Sequence, residues 1–360
     1  MTYYSLKNIL SKNAVYNMIF GERSNGKTYA ILMYGLKEYF NHGGQIAILR
    51  RFKEDIIGRR ASDIWSAINA NNEVEKLSNG RFTGIYYYSG KFYACTYDDN
   101  GKPVYNTDDC VGYTFSLSDS EHNKSISYPK ITTIFFDEFL TKNTYFNDEF
   151  VIFMNTISTI VRNRTNVKIF MAGNTVNKYC PYFSEMGLHH ASEMEQGTID
   201  VYKYGDSGLV VAVEYCASLR KKKKNSYFFA FNNPKLKMIT SGAWELDLYP
   251  HLPYKYKNKE ILYTFFIVFE GTFQCEVVNS GEGIFIYIHR KTTELKLKKE
   301  DIIYTLEPSH SMNYNENILK PINSVQRKIL LLFQTHKVFY QDNEVGNTIY
   351  NYLVTCRKGR

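Results

Sequence analysis

Several kinds of pattern are missing from this chain, and each absence closes off a class of function. None of the six cysteines (Cys95, Cys110, Cys180, Cys216, Cys275, Cys356) forms a C-x-x-C pair or stands at zinc-ligand spacing from the eight histidines, although His189 and His190 are adjacent. Dithiol redox chemistry and a structural zinc are thereby excluded, and the thiols are expected to be reduced, as in a cytosolic protein. No run approaches the roughly 18 apolar residues of a membrane span, and Met1 to Leu10 lacks a basic segment followed by an apolar stretch. The expectation is a soluble protein, neither secreted nor membrane-spanning. No segment repeats internally, which leaves out repeat arrays. Nor does one sign of charge dominate: 44 Lys plus Arg against 36 Asp plus Glu gives +8, a modest basic excess that suits a polyanion partner without specifying one.

What is present starts with Gly21-Glu22-Arg23-Ser24-Asn25-Gly26-Lys27-Thr28, an unbroken G-x-x-x-x-G-K-T phosphate loop. It follows the apolar run Ala14 to Phe20 and precedes the helix-like stretch Tyr29 to Phe40. That context is what the chemistry needs. A strand delivers the loop, glycines let backbone N–H groups wrap the phosphates, and the helix aims its positive end at the same anion. Lys27 is expected to reach the β- and γ-phosphates of ATP, and Thr28 to hold Mg²⁺.

Hydrophobic content of 44% excludes a mainly disordered chain, and 360 residues exceed one comfortable core, so two domains and a connector are expected. From Val15 to about Val213 short apolar strands alternate with helical segments, the pattern of an α/β domain with a mostly parallel sheet. Strands are expected at Val15 to Phe20, Gln45 to Leu49, Tyr113 to Leu117, Thr133 to Phe136 and Lys168 to Met171. Helices are expected at Lys27 to Phe40, Ser62 to Leu77 and Asp148 to Val161, with a hairpin, Arg81 to Tyr88 and Lys91 to Thr96, turning at Ser89-Gly90. After Val213 the composition shifts. Glu214 to Leu219 reads as helical, and the run Arg220 to Lys224 is purely cationic, suiting either a solvated linker or a nucleic-acid contact. Three strands (Ile261 to Glu270, Thr272 to Val278, Gly283 to His289) and a helix, Ser324 to Thr335, read as a small α+β domain. The expected division is 1–213, a connector 214–256, and 257–360.

A second element fits the phosphate loop. Ile131 to Phe136 is an apolar strand ending in Asp137 and Glu138. Such a strand fixes Asp137 beside Mg²⁺ and leaves Glu138 to polarise the attacking water; alone it reads equally as a strand before an acidic surface turn. A glutamate beside that aspartate points to the additional-strand (ASCE) class of P-loop ATPases, which usually act as rings and need a cation from the neighbouring subunit. Arg162 and Arg164, at the end of a helix, are candidates for that cation, against plain pairing at a helix C-terminus. Asn174, just past the strand Lys168 to Met171, is a candidate γ-phosphate sensor, against an ordinary Gly-Asn turn.

With these residues in order, the chain resembles the DNA-packaging ATPases of small tailed phages of the φ29 type. The resemblance is carried by Phe20 to Ala30, Leu49-Arg50-Arg51-Phe52-Lys53, Thr133 to Phe139, Val161 to Arg164, and Asn174 through Pro181-Tyr182-Phe183. It covers most of 14–213 and continues more weakly from Tyr263 to His289. The resemblance implies a homopentameric ring at the portal vertex of an empty capsid in the host cytoplasm, driving double-stranded DNA inward with ATP and Mg²⁺, with a structural RNA as a further possible partner. It also implies that residues 257–360 form a degenerate nuclease-like domain of the ribonuclease H type. By position it makes Arg162 a finger acting in trans, Lys124 a second cation across the interface, Arg23 a partner for Glu138, and Lys53 and Lys142 pore-facing DNA contacts. For Lys142 the local residues depart from the family pattern.

Two other classes stay open. A terminase-like protein with an active nuclease needs two or three clustered carboxylates, but Glu270, Glu276 and Asp301 are scattered. A nucleotide switch that moves no DNA would not need Glu138 and a finger-like Arg162.

Overall fold

The structure is a computed structural model that describes residues 4–119, 126–141, 145–146, 148–175, 180–217 and 249–358, apart from 253, 282, 297, 299 and 308–312. The chain divides into two compact units, Met1–Glu245 and Leu246–Arg360. Lys124, Lys142 and the run Arg220 to Lys224 lie outside the described residues.

The first unit opens with a short helix, α1 (Lys7–Leu10), and strand β1 (Tyr16–Gly21), buried along its whole length. Helix α2 (Lys27–His42) leads to β2 (Gln45–Arg50). Three short helices follow, α3 (Gly58–Asp63), α4 (Ser66–Ala70) and α5 (Glu73–Leu77), where a single helix was expected. Two local causes break it. Asn72 takes a left-handed φ of 53°, and the Asn69 side chain bonds the Ile85 backbone at both its N–H (2.9 Å) and its carbonyl (3.1 Å). Asparagine favours such alternatives to the helix ladder.

The expected hairpin forms as β3 (Gly84–Tyr88) and β4 (Lys91–Tyr97), followed by the long strand β5 (Pro103–Ser116). Then come β6 (Ile131–Asp137), α6 (Glu149–Val161), β7 (Lys168–Asn174), α7 (Pro181–Glu185), β8 (Ile199–Tyr204) and β9 (Leu209–Tyr215). The sheet order is β3-β4-β5-β2-β6-β7-β1-β9-β8, and the central strands from β5 to β9 are parallel. Glu214 and Tyr215, expected to open a helix, are instead the end of β9. The physical reason is pairing: Ile19 lies opposite Glu214 and Phe20 opposite Tyr215, and the Tyr4 hydroxyl donates to Glu214 at 2.6 Å.

Near-continuous apolar strands are what a parallel sheet covered on both faces requires. Met18 and Phe20 of β1 face one core with Phe153, Ile157 and Ile160 of α6. Ile19 faces the other, with Ile31, Leu32 and Leu36 of α2. Each such side chain contributes roughly 1.5–3 kcal/mol when fully buried, so the strand ends that carry polar groups are set in a rigid frame. All six cysteines are free and buried, and burial pushes Cys180 and Cys216 up to about 12.

The second unit is a sheet of order β14-β13-β10-β11-β12-β15, comprising β10 (Ile261–Val268), β11 (Thr272–Ser280), β12 (Gly283–Arg290), β13 (Ile302–Thr305), β14 (Tyr314–Asn315) and β15 (Val338–Tyr340). β10, β11 and β12 are antiparallel neighbours, β13 runs parallel to β10, and β14 runs parallel to β13. The expected helix is Ser324–Gln334; a second, Asn343–Lys358, was not anticipated. Residues assigned to the connector belong here: the Tyr249 ring sits 5.3 Å from that of Tyr340, and the Tyr256 hydroxyl donates to Glu276.

Candidate nucleotide-binding site

Parallel pairing places the ends of β1, β7 and β6 at one edge of the sheet, with Gly21 opposite Asn174 and Asp137 opposite Ala172. The chain leaves β1 through a loop whose Ser24 and Gly26 are left-handed, φ 58° and 96°. At Gly26, the residue before α2, glycine lets the chain turn into the helix without a side-chain clash. The loop closes around the Lys27 ammonium, which donates to the Glu22 carbonyl (2.6 Å), to Asn25 Oδ1 (3.2 Å) and to Asn174 Oδ1 (3.4 Å). Burial is the largest influence on this group and pushes it down to about 8, opposed by Cys216, Asp137 and Glu22. A phosphate chain at the mouth of the loop would add negative charge and favour the ammonium form.

Asp137 ends β6. Its Oδ1 accepts from the Thr28 hydroxyl at 3.3 Å and its Oδ2 pairs with Arg50 at 2.7 Å. Burial raises its pKa and Arg50 works against that shift. Two neighbouring oxygens, one carboxylate and one hydroxyl, fit a hard cation such as Mg²⁺, which takes one or two protein ligands and fills its other positions with water and phosphate oxygens. Among the described residues no three His, Cys, Asp or Glu side chains converge to hold a metal by themselves.

Directly after Asp137 the backbone turns sharply. Glu138 adopts φ 61°, a left-handed state that costs a non-glycine residue roughly 1–2 kcal/mol. The turn swings the next carboxylate to the cleft: the Asp137 side chain is 8% exposed and that of Glu138 is 61% exposed, and Arg50 bridges both, 2.8 Å from Glu138 Oε2. Lys27, Thr28, Arg50, Asp137, Glu138 and Asn174 thus line one cleft of about 280 Å³, with Asp63 and Ile64 at its side.

The other candidates lie elsewhere. Arg162 follows α6 with φ 50°, is exposed, donates to the Ile126 carbonyl at 3.2 Å and does not line the cleft. Arg164 is tied down by the carbonyls of Tyr128, Pro129, Ile131, Ile160 and Val161, so it braces the fold. Lys53 is exposed and paired with Asp119 at 2.8 Å. Arg23 is exposed on the loop, and the cation on Glu138 is Arg50. In the second unit Glu276 is engaged by Tyr256, Gln274 and His289, while Glu270 stands exposed in the β10–β11 turn.

Sequence reading assigned no role to Arg50, or to Arg51 and Glu149 beneath it. Arg51 makes a two-pronged ion pair with Glu149, 2.9 Å on each arm, and both residues are buried. Removing one partner of such a pair strands a buried charge and costs about 3–5 kcal/mol. The available signal was two consecutive arginines after an apolar strand, and one carboxylate heading the apolar run Phe150 to Met154.

Fold and site together define a class: a mixed α/β protein with a large, mostly parallel sheet and a phosphate-binding loop facing a strand-end carboxylate pair. The family model of the Podovirus DNA encapsidation protein (Gp16) matches residues 1–228, and the chain belongs to that family. It is 27% identical over 185 residues to a DNA packaging protein of Bacillus phage phi29, covering 50% of this chain and 49% of that one. A DNA packaging protein of Bacillus phage B103 is 29% identical over 185 residues, at 50% of each chain. The chain thus spans about half the length of the curated relatives it matches. Among solved structures, the fold resembles a chain of the bacteriophage Phi-29 viral genome packaging motor assembly, TM-score 0.58 at 19% identity, covering 100% of both chains. It also resembles the Phi-28 gp11 DNA packaging motor, TM-score 0.56 at 17% identity, covering 99% of this chain and 98% of that one.

Proposed function

We propose that this chain is an Mg²⁺-dependent ATPase that drives double-stranded DNA into a preformed phage capsid as one subunit of a ring. The observation that carries the reading is the convergence of Lys27, Thr28, Asp137 and Glu138 on one cleft. Membership of a DNA encapsidation family supplies the DNA and the capsid. The position of β7 between β1 and β6 supports the additional-strand class, and the order β12-β11-β10-β13-β14 supports a ribonuclease H-like second domain. The first and second domains then fall within 1–245 and 246–360.

Each residue's work follows from its place. Lys27 neutralises the β- and γ-phosphates, and Thr28 with Asp137 holds the cation, which supplies charge stabilisation on the transferring phosphoryl group. Glu138 accepts a proton from the attacking water once its carboxylate leaves Arg50. Asn174, already bonded to Lys27, orients at the γ-phosphate. Arg162 serves the adjacent subunit, and Lys53, with Lys142 beyond the described residues, meets the DNA backbone; in this role Lys53 exchanges Asp119 for a phosphate.

A switch protein would bind nucleotide with slow turnover indifferent to DNA. The distinguishing experiment is ATP hydrolysis with and without double-stranded DNA plus empty capsids. A rise of about tenfold or more is expected, and an unchanged rate would favour the switch.

A further inference from the structure

We infer that Arg51 is a positioning residue for Glu138: its guanidinium, clamped by Glu149, fixes the turned backbone from which the Glu138 carboxylate projects. The inference rests on the reading of Glu138 as general base. Because β6 ends at Asp137, the next carboxylate reaches the cleft only if the chain turns at once, which explains the φ of 61°. A non-glycine residue persists in that state only where its surroundings over-determine it.

Two groups do so here. The Phe139 N–H donates to the Ala172 carbonyl at 3.2 Å, and the Phe139 ring is fully buried. Arg51 then takes both carbonyls of the turn, donating from Nη1 to Glu138 at 3.2 Å and from Nη2 to Phe139 at 2.8 Å. The fork is aimed by Glu149, whose own oxygens are fixed by the Tyr182 hydroxyl (2.8 Å) and the Phe146 N–H (2.9 Å). The Tyr145 ring, 5.0 Å from the guanidinium, adds a further contact. Arg51 does not line the cleft, so its influence passes through the Glu138 backbone. Only a planar fork serves a carboxylate and two successive carbonyls together; an ammonium keeps the charge and loses that geometry.

Arg51→Lys in the full chain tests this. The variant is expected to keep its far-UV circular dichroism and bind a fluorescent ATP analogue within about threefold of wild type. Its kcat should fall by about 30-fold or more, up to the 10²–10⁴ that a positioned general base contributes. On a Glu138→Gln background, read by single-turnover hydrolysis, Arg51→Lys should cause no further loss, because the group it positions is gone. A wild-type kcat in Arg51→Lys, or an equal loss on both backgrounds, overturns the inference. Should Arg51→Lys fail to fold, Glu149→Gln is read through the same cycle, and there too an undiminished second loss, or none at all in the single variant, overturns it. A Glu138→Gln protein that hydrolyses at the wild-type rate removes the general-base reading instead, so the two failures are distinguishable.

Discussion

Arg162→Ala should bind ATP as wild type does and hydrolyse it about 10³-fold more slowly, or worse, because an arginine finger stabilises charge that develops only in the transition state. The geometry favours action in a neighbouring site: Arg162 is exposed, follows α6 and lies off its own cleft. Mixing decides the matter. Lys27→Ala keeps its arginine but cannot use ATP, while Arg162→Ala keeps its phosphate loop and lacks the finger. Combined rings should regain hydrolysis, since a Lys27→Ala subunit can donate Arg162 to its neighbour. With subunit exchange demonstrated, no recovery at any ratio would place the finger within its own subunit. Arg164→Ala is the matching control, expected to lose thermal stability because its guanidinium braces five backbone carbonyls.

Glu138→Gln should retain ATP binding while hydrolysis falls by about 10²–10⁴, the range for a lost general base. The substitution keeps the side chain's size and leaves Asp137, Thr28 and Lys27 in place, so a change in nucleotide affinity is not expected. The Arg50 contact is weakened from an ion pair to a hydrogen bond between the charged guanidinium and a neutral amide oxygen, which adds no catalytic group in compensation. Single-turnover hydrolysis with binding measured in parallel separates the two effects. Turnover at the wild-type rate would mean that the water is activated elsewhere.

Much of this site was legible because local sequence dictates it. The apolar stretch before Gly21, the helix after Lys27 and the strand before Asp137 each carry their own pattern, and parallel pairing then brings three strand ends to one edge. Arg50 escaped because its role depends on which strand lies beside β6, and a sequence does not state strand order. The Arg51–Glu149 pair escaped for the same reason: its partners are 98 residues apart. Local reading also failed where the Asn69 side chain bonded Ile85 and Asn72 turned left-handed before α5, and where pairing with β1 made a strand of Glu214 and Tyr215. Helix Asn343–Lys358 was hidden by its asparagines and tyrosines, yet Val345, Ile349, Tyr352 and Cys356 form a buried stripe at helical spacing that a periodicity count would have found.

On the proposed reading, ATP hydrolysis at this cleft moves DNA into a capsid. The direct measurement is the amount of double-stranded DNA protected from DNase after incubation with the protein, empty capsids and ATP. Full-length protected DNA is expected with the wild type, and none with Glu138→Gln or without ATP. Protection that is independent of ATP, or undiminished in Glu138→Gln, would contradict the account.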